Sequence, residues 1–276
     1  MDDVARRERA LDEILGPLGS LVIAYSGGVD SAYLTSRAHS VLGPAAVAVT
    51  AVSPSLARRE RSAAAALARR FGWSHLEVDT HELERAEYTR NSADRCFWCK
   101  TELFDVIEPI ARERDARIAV GTNLDDLGDH RPGLGAARER GALAPLVEAG
   151  LDKTTIRELS RRAGLPTAEK PASPCLASRL AYGVEVTEER LERVDAAEEI
   201  VRGLGFEVLR VRDHGELARI EVPEEEIERV VANRGRLAAE LAALGFRYVT
   251  VDLAGFRSGS LNEVLVEPTF RSKSPR

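Results

Sequence analysis

Cysteine is scarce in this 276-residue chain, and so are aromatics: three cysteines and 5% Phe, Trp and Tyr. An odd, low cysteine count excludes a disulfide framework and turns attention to metal or redox chemistry. With few aromatic rings, the core must be built from Leu, Val, Ile and Ala. Positive charge is not in excess either, with 39 Lys+Arg against 45 Asp+Glu, a net of −6. Phosphate neutralisation needs a basic face, so a general nucleic-acid binder is not expected, a local basic patch aside. No apolar run approaches the ~20 residues of a membrane helix. The opening residues Met1-Asp2-Asp3-Val4-Ala5-Arg6-Arg7 lack the apolar stretch of a signal peptide, so a cytoplasmic protein is expected.

What is present is an alternation. Leu21-Val22-Ile23-Ala24-Tyr25 reads as a buried parallel strand, 47–52 as a second, 75–78 as a short third and 117–122 as a fourth. Helical patterns cover 4–16, 29–40, 55–70 and 99–114. Strands alternating with helices predict an α/β fold with a doubly wound parallel sheet, which binds ligands beyond the carboxyl ends of its strands. Residues 123–183 are rich in Gly and Pro, with one convincing helix at about 152–163. From 187 the pattern becomes helix 187–203, strands near 206–212 and 217–222, helix 223–243 and strand 246–252, a smaller C-terminal α+β domain. The boundary is placed near 181–185, giving domains 1–183 and 184–276. The polar tail 271–276 is expected to fray.

Between the first strand and its helix stands Ser26-Gly27-Gly28-Val29-Asp30-Ser31. Two glycines let the backbone turn sharply and approach an anion, the helix start offers unpaired N–H groups, and Ser26 and Ser31 add hydroxyls. Asp30 is placed to hold Mg²⁺ beside a polyphosphate. The bland alternative is a serine-capped β–α turn. The lysine and glycine spacing of Walker A and dinucleotide loops are missing. The hexapeptide resembles the PP-loop of the Rossmann-like ATP-pyrophosphatases, which cleave ATP between the α and β phosphates and pass AMP to a substrate oxygen. That resemblance implies a nucleotide passing Thr50, Ala51, Val52 and Ser53, closed over by Gly121, Thr122, Asn123 and Asp125; read alone, Gly121-Thr122-Asn123 is also an ordinary turn.

Cys96 and Cys99 sit in Arg95-Cys96-Phe97-Trp98-Cys99-Lys100 at a helix start, and Cys175 in Pro174-Cys175-Leu176-Ala177-Ser178-Arg179. A helix start and flanking cations lower a thiol pKa, so thiolates are expected. Three thiolates suit a cluster with one open position. A zinc site completed by His130, a Cys96–Cys99 disulfide switch and three unrelated cysteines are the alternatives.

Taken in order, the loop, Arg95-Cys96 with Cys99-Lys100, Gly121-Thr122-Asn123 with Asp125-Asp126, Arg131-Pro132-Gly133, the Pro174–Arg179 segment and Arg257, Gly259, Leu261 and Asn262 resemble LarE, the pyridinium-3,5-biscarboxylic acid mononucleotide sulfur transferases. The resemblance spans about residues 10–268. It implies an ATP-dependent sulfurtransferase that adenylates each ring carboxylate and converts it to a thiocarboxylate for a nickel-pincer cofactor. The family resembles two designs. In one, a cysteine at the position of Cys175 gives up its own sulfur in a single turnover. In the other, it joins a CxxC pair in holding a 4Fe-4S cluster whose free iron carries sulfide. Having the pair, this chain resembles the second, which makes Cys96, Cys99 and Cys175 cluster ligands. By the same resemblance Arg210, Arg212 and Arg257 bind the substrate phosphate, and Glu199 and Glu221 orient them or assist a metal; Ser178, Arg179 and Trp98, close to the cysteines in sequence, are further substrate-binding candidates, Trp98 by stacking on the pyridinium. Taken alone, Arg210 and Arg212 could be a solvated strand face, and Trp98 could simply pack. ATP, Mg²⁺ and the cluster are the expected cofactors. The expected partners are the pyridinium mononucleotide, a sulfur donor (sulfide or a cysteine desulfurase) and further copies of the chain in a homo-oligomer, with no nucleic acid and no membrane. A tRNA thiolase is the main rival, and a nucleotide-binding sensor, a zinc-stabilised assembly module or an amide-forming synthetase are others.

Overall fold

The computed structural model describes residues 3–128, 132–257 and 260–261. His130, Arg131, Gly259, Asn262 and the tail 271–276 fall outside the described residues. The chain divides into two compact units, Met1–Thr89 with Asp94–Cys175, and Arg90–Ala93 with Leu176–Arg276. The division falls at Cys175/Leu176, ahead of the 183/184 boundary read from sequence.

In the first unit four strands, β1 (Leu21–Ala24), β2 (Ala46–Val52), β3 (Ser74–Asp79) and β4 (Arg117–Val120), form one sheet in the order β3-β2-β1-β4. Every pairing is parallel. The connecting helices are α1 (Asp3–Leu15), α2 (Val29–Leu42), α3 (Arg58–Phe71), α4 (Ala86–Thr89) and α5 (Arg95–Glu113), followed by α6 (Pro132–Glu139), α7 (Pro145–Glu148) and α8 (Lys153–Arg162). Because successive strand residues face opposite sides, the apolar run of β1 feeds two cores. Leu21 and Ile23 join Leu11, Leu15, Leu34, Ile156 and Leu159, while Val22 joins Val49, Phe104, Ile107 and Val120. This is the expected doubly wound α/β sheet. The chain leaves β1 for β2 on one side and reaches β4 on the other, so the strand order reverses at the carboxyl end of β1, the ligand crevice of such folds. Among the described residues no helix is long and apolar enough to cross a membrane.

The Gly- and Pro-rich stretch after β4 holds more helix than its composition predicts. Gly133 and Gly135 lie within α6, where helix propensity disfavours them. Contact explains Gly133: a Cβ there would stand 3.0 Å from Lys100 Cγ and 3.3 Å from the Cys96 carbonyl oxygen. A close approach of α6 to the first turn of α5 therefore outweighs the propensity cost.

The second unit carries α9 (Glu188–Arg202), α10 (Ile227–Ala232) and α11 (Arg234–Ala243), with a sheet β5 (Arg210–Asp213), β6 (Leu217–Glu221) and β7 (Tyr248–Val251) in the order β5-β6-β7. The predicted single helix 223–243 is broken at Asn233, which separates α10 from α11. Phe206, Leu209, Val211, Ile220, Leu237, Leu241 and Phe246 form the core. Thr187 caps α9 by accepting from the Arg190 N–H at 3.3 Å.

Candidate functional site

The turn from β1 into α2 is held by its own side chains. Gly27 has φ +69°, a left-handed conformation, and a Cβ there would meet Ala64 Cβ at 2.8 Å. Ser31 Oγ lies 3.1 Å from Ser26 Oγ and donates to the Gly28 carbonyl at 3.3 Å, while the Ser26 N–H reaches Ser31 Oγ at 3.3 Å. At the end of β4, a Cβ on Gly121 would stand 2.9 Å from the Ser31 nitrogen, so only glycine lets β4 reach the first turn of α2. Val29, where α2 begins, is buried and anchors the turn to the core.

Two lysines converge on this turn, and neither was singled out from sequence. Lys153 Nζ lies 2.5 Å from Asp30 Oδ2, and Asn123 Nδ2 donates to Asp30 Oδ1 at 3.2 Å. Lys170 Nζ donates to the Gly27 carbonyl at 2.9 Å and pairs with Glu60 at 2.6 Å. A signal was available in composition: the chain has four lysines (Lys100, Lys153, Lys170, Lys273) against 35 arginines. Two of the four stand on the turn and a third follows Cys99. The arrangement combines the amides of a helix start, two hydroxyls, two ammonium groups and the carboxylates of Asp30 and Glu60, which suits a polyphosphate with a hard cation.

The flanking residues are engaged as follows. Thr50 is buried, donates to the Tyr25 carbonyl at 2.9 Å and lies 2.9 Å from His75 Nε2. Burial pushes the His75 pKa down, and because the Thr50 hydroxyl gives its proton to the Tyr25 carbonyl, the arrangement calls for the tautomer in which Nε2 donates to Thr50. The Val52 carbonyl accepts from the Thr80 N–H at 2.9 Å. Asp125 Oδ2 accepts from the Lys153 N–H at 2.7 Å, and its own N–H donates to Asn123 Oδ1 at 2.9 Å. Thr122, between Gly121 and Asn123, is half-buried.

The cysteines gather in the same unit. Cys96 and Cys99 lie in the first turns of α5, and Cys99 is near enough to both other thiols to feel their charge. None of the three is in a disulfide. The expectation of ready thiolates is corrected. Desolvation first, and Cys175 next, push both the Cys99 and the Cys96 thiols up, the effect being firmer at half-buried Cys99 than at Cys96, an exposed residue, where the Arg95 guanidinium partly opposes it. A crowded neighbourhood of like charges outweighs the helix start. Buried Tyr88 lies in the field of Cys175 and Cys99, its hydroxyl 2.5 Å from Ser55 Oγ, and buried Glu82 accepts from Ser53 Oγ at 2.5 Å. Neither was anticipated. Half-buried Trp98 donates its indole N–H to Asp94 at 3.0 Å and meets Phe97 edge-on. Among the described residues, no three His, Cys, Asp or Glu side chains converge as they would on a single ion.

In the second unit the predicted residues separate. Arg179 is 2% exposed and grips Glu198, with Nε on Oε1 at 2.9 Å and Nη2 on Oε2 at 3.2 Å; Nη1 lies 3.2 Å from Ser178 Oγ. Glu198 thus holds the inward position, whereas Glu199 faces outward and pairs with Arg202 at 2.7 Å. Arg212 is fully engaged, with Nε on fully buried Glu221 at 3.0 Å, Nη1 on the Ser178 carbonyl at 2.9 Å and Nη2 on Ser260 at 3.1 Å. Half-buried Arg210 lies over the Phe256 ring, and burial with the nearby Arg179 pulls its pKa down to about 10. An anion beside Arg210 would relieve that cost. Arg257 is exposed and donates to the Ala254 carbonyl at 3.3 Å.

The Arg179–Glu198 pair gives a first prediction. Glu198→Ala removes the carboxylate that meets the buried Arg179 guanidinium through two hydrogen bonds and should cost about 3–5 kcal/mol in urea unfolding. Glu199→Ala should stay within about 0.5 kcal/mol. Equal costs would show that Glu198 is not the anchor.

The sheet and its glycine turn define a Rossmann-like α/β protein whose strand order reverses at the end of β1. Over 269 residues the chain is 36% identical to the pyridinium-3,5-bisthiocarboxylic acid mononucleotide synthase of Lactiplantibacillus plantarum, covering 97% of this chain and 98% of that protein. It is 46% identical over 260 residues to an uncharacterized Synechocystis protein (93% of this chain, 97% of that one). With an uncharacterized Methanocaldococcus jannaschii protein it shares 26% over 239 residues (86% and 91%). No protein-family model matches the chain. At 36% identity over nearly its whole length, the chain belongs to the LarE family, that of the Lactiplantibacillus plantarum synthase.

Proposed function

We propose that this chain is an ATP-dependent sulfur transferase. It adenylates the carboxylates of pyridinium-3,5-biscarboxylic acid mononucleotide and replaces an oxygen of each by sulfur, serving nickel-pincer cofactor synthesis. Cys96, Cys99 and Cys175 would hold a 4Fe-4S cluster that supplies the sulfur. One observation carries the reading: two cysteines opening α5 and a third from far along the chain share one electrostatic neighbourhood, in the unit that bears the glycine turn.

The donor set fits such a cluster. A single zinc needs four ligand atoms about 2.3 Å or less from one point, and no such convergence exists among the described residues. A multi-iron cluster takes each thiolate at a separate corner and leaves one corner open when only three are offered. When bound, it supplies an open iron position that takes up sulfide.

The rest falls to the chain's own residues. The Gly28–Ser31 amides and the ammonium groups of Lys153 and Lys170 hold the phosphates that depart as pyrophosphate. Asp30, kept in orientation by Asn123, faces the metal that accompanies ATP. In the second unit Arg210, half-buried over the Phe256 ring, takes the substrate phosphate. Arg212 and Glu221 fix the frame around it, and Arg179 is held by Glu198. The sulfur donor, sulfide or a cysteine desulfurase, meets the chain at the cysteines.

The test is substrate dependence. With Mg·ATP and sulfide, pyrophosphate and AMP should form only when the pyridinium dicarboxylate mononucleotide is added. Release driven by tRNA instead would establish the tRNA-thiolase rival, and no release with either would overturn the enzymatic reading.

A further inference from the structure

Asp30 is the only carboxylate within Ser26–Ser31, yet both of its oxygens are already engaged. Oδ2 lies 2.5 Å from Lys153 Nζ and Oδ1 accepts from Asn123 Nδ2 at 3.2 Å. A divalent cation arriving alone would have to displace the ammonium. The root of Lys153 cannot follow its head group. Its N–H donates to Asp125 Oδ2 at 2.7 Å, and Asp152 caps the same helix start by accepting from the Thr155 N–H at 2.7 Å. The flexible four-carbon stem is free to swing while the backbone stays.

The choice of residue points the same way. In a chain with 35 arginines and four lysines, this position holds lysine. A guanidinium would grip a carboxylate through two parallel hydrogen bonds and release it reluctantly, whereas an ammonium is a compact point charge that transfers easily to another anion.

We propose that Lys153 is a resident cation on Asp30 that excludes divalent metal until a polyphosphate arrives, so that metal and nucleotide enter together. The incoming phosphates draw the ammonium off Asp30, and the exposed carboxylate accepts the metal brought with them. The empty enzyme therefore does not chelate divalent ions at its loop. Lys153 is in this respect a positioning residue, and the inference rests on the reading of the turn as an ATP site.

Mn²⁺ titration followed by electron paramagnetic resonance tests it, with and without a non-hydrolysable ATP analogue. Wild-type protein should bind Mn²⁺ tightly only with the analogue. Lys153→Met should gain analogue-independent Mn²⁺ binding up to about fivefold tighter than wild type, the factor associated with a partly exposed ion pair. That gain should vanish in the Lys153→Met, Asp30→Asn double variant. Lys153→Arg should keep Mn²⁺ out and also weaken Mn²⁺ binding with the analogue. Lys153→Gln provides a second uncharged variant if Lys153→Met melts below wild type. Analogue-dependent binding by wild type with no new site in either uncharged variant overturns the role of Lys153 alone. No analogue-dependent binding by wild type overturns both this role and the ATP reading.

Discussion

Purified without oxygen, the wild-type chain should carry about four irons and Cys175→Ala far fewer, with multiple-turnover thiolation lost. Cys175 supplies the one thiol from outside α5, so its removal would leave only the Cys96–Cys99 pair to hold the proposed cluster. The fold should survive. Cys175 is only half-buried, and a Ser or Ala there opens no large cavity. Thermal melting of the iron-free wild type and variant should therefore agree within a few degrees. Iron and labile sulfide per chain, measured on both proteins, decide the matter. Equal iron in the two would remove Cys175 from the ligand set.

Gly27→Ala should abolish substrate-dependent pyrophosphate release and lower the melting temperature. Two separate costs meet at this residue. Its φ of +69° disfavours any side chain, by about 1–2 kcal/mol. The new methyl would also stand 2.8 Å from Ala64 Cβ, an overlap that the packed α3 relieves only by moving, typically costing about 1–3 kcal/mol. Either way the turn shifts, and Gly28 and Ser31 no longer present their N–H groups where a phosphate needs them. The two costs can be separated. Adding Ala64→Gly removes the closest contact, leaving the position-64 Cα at 3.2 Å, but not the backbone strain, so the double variant should recover part of the melting temperature, less the ~1 kcal/mol that glycine costs inside a helix. Wild-type pyrophosphate release from Gly27→Ala would show that the turn does not hold the nucleotide.

Local features of this chain could be read before its structure. The apolar run at Leu21–Ala24, followed by two glycines, is a strand and turn because strand burial and positive φ are properties of contiguous residues. Features made by distance could not. Lys153 and Lys170 lie more than a hundred residues from the turn they touch, and nothing next to them marks their role except the rarity of lysine. Glu198 and Glu199 are adjacent acids, and only the packing of α9 decides which one meets Arg179. The helix-start argument at Cys96 and Cys99 was sound locally and failed because burial and a third thiol, invisible in the segment itself, act in the opposite direction. Gly133 of α6 misled for the same reason, since it serves the approach to α5.

The most direct measurement is a sulfur count. Anaerobic protein is mixed with excess Mg·ATP, sulfide and the pyridinium dicarboxylate mononucleotide, and thiocarboxylate formed per chain is determined with the mass of the recovered polypeptide. Catalysis through sulfur held by three intact cysteines predicts several thiocarboxylates per chain and an unchanged polypeptide mass. A yield that stops at one sulfur per chain, with a polypeptide lighter by the elements of hydrogen sulfide, would contradict it.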